Sequence, residues 1–190
     1  MHDARNLPLL AWGDALRSAK ARKLMLSRRA VAIGAGIASL NLTLVFPPSP
    51  RLVWNHSASA PIGLYQVMPG AVLAKGDMVV AWPPARARAL ADHRRYLPSG
   101  VPLVKRVAAA PGDRICGKDR MVTLNGRVIA RRLAADPSGR PLPAWQGCIT
   151  LLRGEYLLLM TLRADSFDGR YFGPTREGDI LGKARPLWLR

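Results

Sequence analysis

The sequence is poor in histidine, cysteine and acidic residues, and these shortages narrow the possible functions. Its three histidines do not show the His-x-x-x-His spacing of a zinc-binding helix. It also lacks a glycine-rich phosphate loop, a helix-turn-helix, a zinc finger and an RNP-like motif. We therefore expect no metal site, no cofactor and no nucleic-acid partner.

The shortage of carboxylates leaves the chain strongly basic. It has 29 Lys and Arg residues against 12 Asp and Glu residues, so the formal net charge is +17 over 190 residues. Such an excess attracts acidic partners, which are nucleic acid or an anionic membrane surface. Because the basic residues are spread along the chain without a nucleic-acid-binding motif, we expect a solvated basic surface, with attraction to the lipid bilayer near the N terminus.

Long uncharged runs are also scarce, and the main one covers residues 30–46. As a helix these residues would span about 26 Å, which is short for a membrane crossing. A basic cluster precedes the run and places the N terminus in the cytoplasm. The cluster consists of Arg17, Lys20, Arg22, Lys23, Arg28 and Arg29.

The prolines after this run, Pro47, Pro48 and Pro50, would end a helix. A cleaved secretory signal would need a site with small residues here, and Phe46-Pro47-Pro48 is a poor one. The domain prediction is thus a cytoplasmic basic N terminus over 1–29, an uncleaved transmembrane anchor over 30–47 and a periplasmic domain over 48–190. A buried soluble helix and a cleaved signal are the alternatives.

The rest of the chain alternates short apolar stretches with turns rich in glycine and proline. Many short strands of this kind predict an all-β, barrel-like domain. In the hairpin the dipeptide Asn125-Gly126 suits a tight turn. Strands are predicted at 64–68, 77–82, 101–109, 121–130 (as the hairpin), 155–161 and 178–185.

Two segments interrupt the strands. Residues 84–97 are rich in alanine and arginine, which favours a short helix with Leu90 and Leu97 on one face. We interpret it as a solvated insertion, with a position at the lipid surface as the alternative. Residues 134–147 contain three prolines and are predicted to form a loop.

Two serines, Ser57 and Ser59, precede a proline and a glycine in the stretch 55–65. A serine becomes a nucleophile only when a base removes its proton. Lys105 stands in an apolar, strand-like run, where desolvation favours the neutral amine, so Ser59 and Lys105 form a candidate Ser-Lys pair. Alternatively, Lys105 is a strand lysine paired with an acid such as Asp113. The neighbouring His56 is interpreted as a surface residue.

Three blocks of sequence resemble the signal peptidase I family, and more narrowly its conjugative-transfer (TraF-type) members. The resemblance runs from about residue 52 to 188 and implies a β-rich, membrane-anchored serine endopeptidase that needs no cofactor. Its implied partner is a membrane-borne, pilin-like precursor protein. The blocks are Ser59-Ala60-Pro61-Ile62-Gly63-Leu64-Tyr65, Lys105-Arg106-Val107 with Pro111-Gly112-Asp113, and residues 166–173.

The resemblance also implies the roles of individual residues. Ser59 is the nucleophile, and its backbone N–H forms the oxyanion hole with the Ser57 hydroxyl. Lys105 is the general base, which requires its pKa to fall from about 10.4 to about 7–8. Three residues of the last block support the dyad: Ser166 orients the lysine amine, and Asp168 and Arg170 form an ion pair.

One departure from the family bears on the substrate. Bacterial housekeeping signal peptidases carry Gly-Asp-Asn-Arg just before the last block, where this chain has Met-Thr-Leu-Arg over 160–163. This favours the conjugative subgroup over general preprotein processing. A general signal peptidase, a self-cleaving repressor-type peptidase and a non-enzymatic envelope assembly protein are the alternatives.

The two cysteines, Cys116 and Cys148, both follow the predicted anchor. In an oxidising compartment they can form one disulfide, worth about 3–4 kcal/mol by loop entropy. Two separate buried thiols are the alternative, and the predicted periplasmic location favours the bridge.

Overall fold

The computed structural model describes residues 8–46 and 49–190 of the chain. It contains two compact units, one N-terminal and one that starts at residue 49. The predicted helix-ending residues Pro47 and Pro48, and residues 1–7 of the predicted cytoplasmic segment, lie outside the described residues.

The N-terminal unit is a single helix, α1 (Pro8–Val45), of 38 residues. It begins well before the predicted anchor and passes through the basic cluster, because nothing in that segment breaks a helix. Among the described residues, no helix is long and apolar enough to cross a membrane. Residues 30–45 of the anchor predicted over 30–47 are therefore part of α1, but the transmembrane character of the anchor is not confirmed.

The second unit is mostly β and is built on a seven-stranded antiparallel sheet in the order β1-β2-β11-β3-β4-β9-β10. The all-β, barrel-like prediction is thus met by a mostly β unit, in which the edge strands β1 and β10 do not pair with each other within residues 49–190. Its strands are β1 (Leu52–Asn55), β2 (Gly63–Met68), β3 (Met78–Ala81), β4 (Leu103–Ala109), β9 (Glu155–Leu159), β10 (Thr175–Arg176) and β11 (Ile180–Leu189).

A smaller four-stranded sheet has the order β7-β6-β5-β8. The predicted turn joins β6 to β7, with φ of 49° at Asn125 and 84° at Gly126. A disulfide joins Cys116 on β5 to Cys148 on β8, which stand directly opposite each other. The strands are β5 (Arg114–Lys118), β6 (Met121–Leu124), β7 (Arg127–Arg131) and β8 (Gly147–Thr150).

The two sheets share a buried apolar core. Ile115, Val122 and Ala130 of the small sheet pack with Leu157 and Leu159 of the large one. Burying branched and aliphatic side chains of this kind is the main stabilising contribution to such a β domain. The core therefore fixes the small sheet against β9, the strand that precedes the last sequence block.

The insertion forms helix α2 (Ala85–His93), as predicted, but its packing differs from the prediction. Ala87 and Ala91 are the buried residues of α2, whereas Leu90 is half-buried and Leu97 lies beyond the helix. Small side chains on this face let the helix approach the domain closely. A second short helix, α3 (Gly169–Phe172), and a 3-10 turn (Glu177–Asp179) complete the unit.

Candidate active site

Ser57 and Ser59 lie on the loop between β1 and β2, and Asn55 holds this loop in shape. The Asn55 side chain is buried and its amide donates to the carbonyls of Ser57, Ala60 and Pro61, at 2.9–3.1 Å. Its carbonyl oxygen accepts from the Ser57 N–H at 3.2 Å. One side chain thus replaces several backbone contacts that the loop lacks, and it fixes the position of Ser59.

Lys105 projects from the middle of β4 and reaches two serine hydroxyls. Its Nζ lies 2.8 Å from Ser59 Oγ and 2.9 Å from Ser166 Oγ. The residue is only 2% exposed, and the backbone next to it in register is that of the fully buried Val79. The amine is therefore shielded from water, with hydroxyl groups as its hydrogen-bond partners.

Burial lowers the pKa of Lys105 from 10.5 to about 8. The nearby charges partly cancel, because Asp168 and Asp165 raise this pKa while Arg170 lowers it. Desolvation is the dominant cause, since it disfavours the charged ammonium. About half of the Lys105 amine is thus neutral near pH 8, so a neutral general base is available close to neutral pH.

Asp168 and Arg170 form a fully buried ion pair next to this lysine. The Arg170 Nε lies 2.8 Å from the Asp168 carboxylate, and the two side chains are 2% and 0% exposed. Asp168 also accepts from the N–H of Met160, and Arg170 donates to the carbonyls of Met160 and Ala164. A buried pair is tolerated only when its polar atoms are satisfied in this way.

A close backbone approach brings this pair to β9. A side chain at Gly169 would place its Cβ 2.8 Å from the Leu158 carbonyl oxygen. Because real Cβ atoms do not approach so closely, glycine is required here for α3 to pack on the strand. The segment 160–163 that departs from the housekeeping pattern contributes through the Met160 backbone, which contacts both members of the pair.

Two residues of the small-sheet side hold α3 from behind. Arg132 Nε donates to the Arg170 carbonyl at 2.6 Å, and Trp145 Nε1 donates to the Gly169 carbonyl at 3.0 Å. The Arg132 guanidinium also stacks on the Trp145 ring at 4.8 Å. We call Arg132 and Trp145 the α3 clamp, because both bind the backbone of the helix that carries Arg170.

The donors predicted for an oxyanion hole lie together beside Ser59. Ser57 Oγ is 3.0 Å from Ser59 Oγ and accepts from the Ser59 N–H at 3.3 Å. In this structure the two donors therefore bind each other. Since this contact is long and exposed, a substrate oxyanion can replace it at little cost.

The dyad opens into a groove of about 770 Å³. It is lined by the loop 53–59, the start of β4, residues 163–167, and residues from the segments 96–102 and 133–142. This volume is within the range of ligand-binding clefts in proteins. It is the place where a substrate can meet Ser59.

The structure thus brings together all six residues predicted for the site: Ser57, Ser59, Lys105, Ser166, Asp168 and Arg170. The alternative partner for the lysine is wrong, because Asp113 instead binds Lys75 at 3.1 Å and Asn125 at 2.9 Å. His56 lines the groove, but the side-chain partners of Ser59 within residues 49–190 are Ser57 and Lys105.

Sequence reasoning missed Asn55, the α3 clamp and the role of residues 84–97. Asn55 had a usable signal, since an asparagine at a strand end often bonds the following loop. The clamp had none, because Arg132 and Trp145 meet α3 only through the packing of the two sheets. The insertion was interpreted as solvated, whereas its C-terminal continuation lines the groove.

Comparison with known proteins gives the same family as the sequence blocks. The model of the family described as signal peptidase, peptidase S26, matches residues 24–189 of this chain. The plasmid transfer protein TraF of Escherichia coli is 36% identical over 167 residues, which are 83% of this chain and 93% of that protein. The conjugal transfer protein TraF of Agrobacterium fabrum is 34% identical over 174 residues, 86% of this chain and 98% of that protein.

A further relative is a signal peptidase itself. Signal peptidase I V of Bacillus subtilis is 33% identical over 90 residues, 42% of this chain and 54% of that protein. The likeness to the TraF proteins therefore covers much more of the chain than the likeness to this signal peptidase.

Proposed function

Because the chain belongs to the signal peptidase, peptidase S26, family, we propose that it is a Ser-Lys endopeptidase that processes a protein precursor of a conjugation system. One observation carries the mechanism: the buried Lys105 amine lies 2.8 Å from Ser59 Oγ. The names of the TraF relatives support the place in conjugation. The substrate class, a membrane-borne and pilin-like precursor, is part of the same proposal.

The first half of the reaction forms an acyl-enzyme. Neutral Lys105 takes the proton from Ser59 Oγ while that oxygen bonds to the scissile carbonyl carbon. The carbonyl electron pair moves to oxygen, and the Ser59 N–H and Ser57 hydroxyl stabilise the resulting oxyanion. When the oxyanion collapses, the C–N bond breaks and the leaving amine takes the proton from the Lys105 ammonium.

The second half releases the product. A water molecule, or an amine that reaches the site, gives its proton to Lys105 and attacks the ester carbon. The C–O bond to Ser59 then breaks, and the proton returns from Lys105 to Ser59 Oγ. Ser166 keeps the amine aimed at Ser59 in both halves, because its hydroxyl lies 2.9 Å from Nζ on the other side.

The test uses the full chain with Ser59→Ala, Lys105→Ala and the double variant. Arg86→Ala on the exposed side of α2 is the matched control. Processing of the co-expressed precursor, followed by mass spectrometry, should fall by at least 10³-fold in each single variant and no further in the double variant, since the pair acts as a unit. Processing that survives in Lys105→Ala would contradict the dyad.

We further propose that the protein works at the cell envelope, with the β unit outside the inner membrane. The Cys116–Cys148 disulfide supports this, because such bridges persist in oxidising compartments. The basic segment before residues 30–46 supports the same orientation. A reporter that is active only in the periplasm, fused after Arg190, should be active, and activity of a cytoplasm-only reporter instead would reverse the orientation.

A further inference from the structure

Two segments that contribute to the lining of the groove beside Ser59 have no role in the dyad mechanism. They are residues 96–102, which follow α2, and residues 133–142, between β7 and β8. We call these two segments the outer wall. They are far apart in sequence and must be held together by contacts between them.

Asp136 is the centre of those contacts. Its side chain is only 3% exposed and accepts a short hydrogen bond from the Tyr96 hydroxyl. It also accepts from Arg140 Nε at 2.7 Å and from the N–H groups of Ser138 and Arg140, both at 2.9 Å. Burial alone would raise the pKa of Asp136, but the bonds from Tyr96 and Arg140 outweigh it and keep the carboxylate charged.

A second set of contacts also connects the two segments of the outer wall. We call these contacts, together with those of Asp136, the joint. Arg94 donates to the Pro141 carbonyl at 2.9 Å, and Arg140 stacks over the Tyr96 ring at 5.5 Å. The joint therefore uses a carboxylate, two guanidinium groups and an aromatic ring to connect segments about 40 residues apart. Charge-assisted bonds to a buried carboxylate are among the strongest that a loop can form.

Tyr96 also connects the outer wall to the dyad. Its ring meets the Phe167 ring edge to face at 5.5 Å, and Phe167 stacks on Tyr171 at 6.0 Å. Phe167 directly follows Ser166, which contacts Lys105. Tyr96 thus bonds the 133–142 segment of the outer wall on one side and packs beside the catalytic segment on the other.

The surface that this joint presents to the groove is apolar. Leu97, Pro98, Val101, Leu133 and Leu142 line it, and both Val101 and Leu133 are about two-fifths exposed. The polar side chains of the joint are bonded to one another, so they are not free to bind a substrate. A charged side chain placed against this surface would lose its hydration without a partner.

We propose that Tyr96, fixed by Asp136, determines specificity: it holds the outer wall so that the groove takes a precursor with an apolar segment flanking the scissile bond. The occupant follows from the position of the groove, which contains Ser59 and Lys105. The proposal rests on the proposed peptidase function. It adds a selection step that lies outside the dyad.

The test compares fluorescence-quenched peptides that contain an alanine at the scissile bond. Each flanking position carries leucine in one peptide and aspartate in the other. The readout is the ratio of kcat/KM between the apolar and the charged peptide. A short N-acetyl-alanine thioester is too small to reach the outer wall. Its turnover therefore measures how much of each variant has a functional active site. Because partial unfolding lowers both peptide rates equally, the ratio responds to specificity and not to stability.

The wild-type ratio should be at least tenfold at one or more positions and fall below threefold in Tyr96→Ala. Tyr96→Phe keeps the ring and loses the bond to Asp136, so its ratio should lie between these values and decide the test if Tyr96→Ala does not fold. The control Arg86→Ala should keep the wild-type ratio. A ratio near one in the wild type, or an unchanged ratio in both Tyr96 variants, would overturn the proposal. Absence of thioester turnover in the wild type would instead overturn the peptidase function.

Discussion

The two sheets of the β unit share a core but differ in what they contribute. The seven-stranded sheet carries Lys105 on a central strand and Ser59 on a loop between two of its strands. The four-stranded sheet carries no predicted catalytic residue, and its edge strand β8 is exposed throughout. The small sheet instead contributes the disulfide and, next to it, the α3 clamp. One sheet thus carries the residues of the proposed dyad, while the other supports the segment that contains Ser166 and Arg170.

The largest effect is expected from breaking the buried ion pair between Asp168 and Arg170. Arg170→Met removes one charge and leaves Asp168 buried without its partner. This should lower the free energy of unfolding by about 3–5 kcal/mol. Processing should also be lost, because the segment carrying Ser166 is no longer held. Chemical denaturation measures the first effect, and Arg163→Met, at an exposed pair, is a control that should change stability by less than about 1 kcal/mol.

Removing the disulfide tests whether the small sheet acts through stability. The bridge closes a loop of 32 residues, so the double variant Cys116→Ala, Cys148→Ala should lose about 3–4 kcal/mol of unfolding free energy. Well below its unfolding temperature this variant should still process the precursor. Loss of processing in a fully folded double variant would contradict the division between the two sheets.

The burial of Lys105 in the seven-stranded sheet should lower the free energy of unfolding of the protein. The folded-state pKa of Lys105 is about 8, whereas the unfolded value is 10.5, so the unfolded state binds more protons between these values. The wild type should therefore gain about 1.4 kcal/mol of stability per pH unit relative to Lys105→Met between pH 8 and 10.5, and nothing below pH 8. A difference that stays constant over this range would show that Lys105 is not desolvated.

The smallest effect is expected from changing Trp145, one of the two residues of the α3 clamp. Trp145→Phe keeps a ring under Arg132 and removes only the hydrogen bond to the Gly169 carbonyl. The expected loss is about 1 kcal/mol of stability, with processing reduced by a few-fold at most. Trp82→Phe, which keeps a ring under Arg88 away from the site, is the matched control.

The sequence predicted the catalytic side better than the supporting side. The strands that carry strong apolar patterns, including β4 and β9, were found, and the motif residues Ser59, Lys105 and Ser166 meet as expected. The pattern failed for β8, whose four residues are all exposed and so show no alternation. Tyr96 and Asp136 also had no local signal, because 40 residues separate them and only the tertiary fold brings them together.

The transmembrane prediction for residues 30–47 was not confirmed, and the helix there is longer than the predicted anchor. It rested on a short uncharged run, but the structure continues the same helix through the preceding basic residues without a break. No proline interrupts residues 9–45, so the helix extends through the basic cluster. The uncharged run therefore marks only part of this helix.

The central claim is that Lys105 is a neutral base between Ser59 and Ser166, and direct titration of its amine tests this most closely. NMR of isotope-labelled lysine in the folded protein follows the Lys105 signal with pH, and the signal is assigned by its loss in Lys105→Met. The expected midpoint is at about pH 8. A midpoint at the ordinary lysine value of 10.5 would contradict it, because the amine would then remain charged at every pH at which the site could act as proposed.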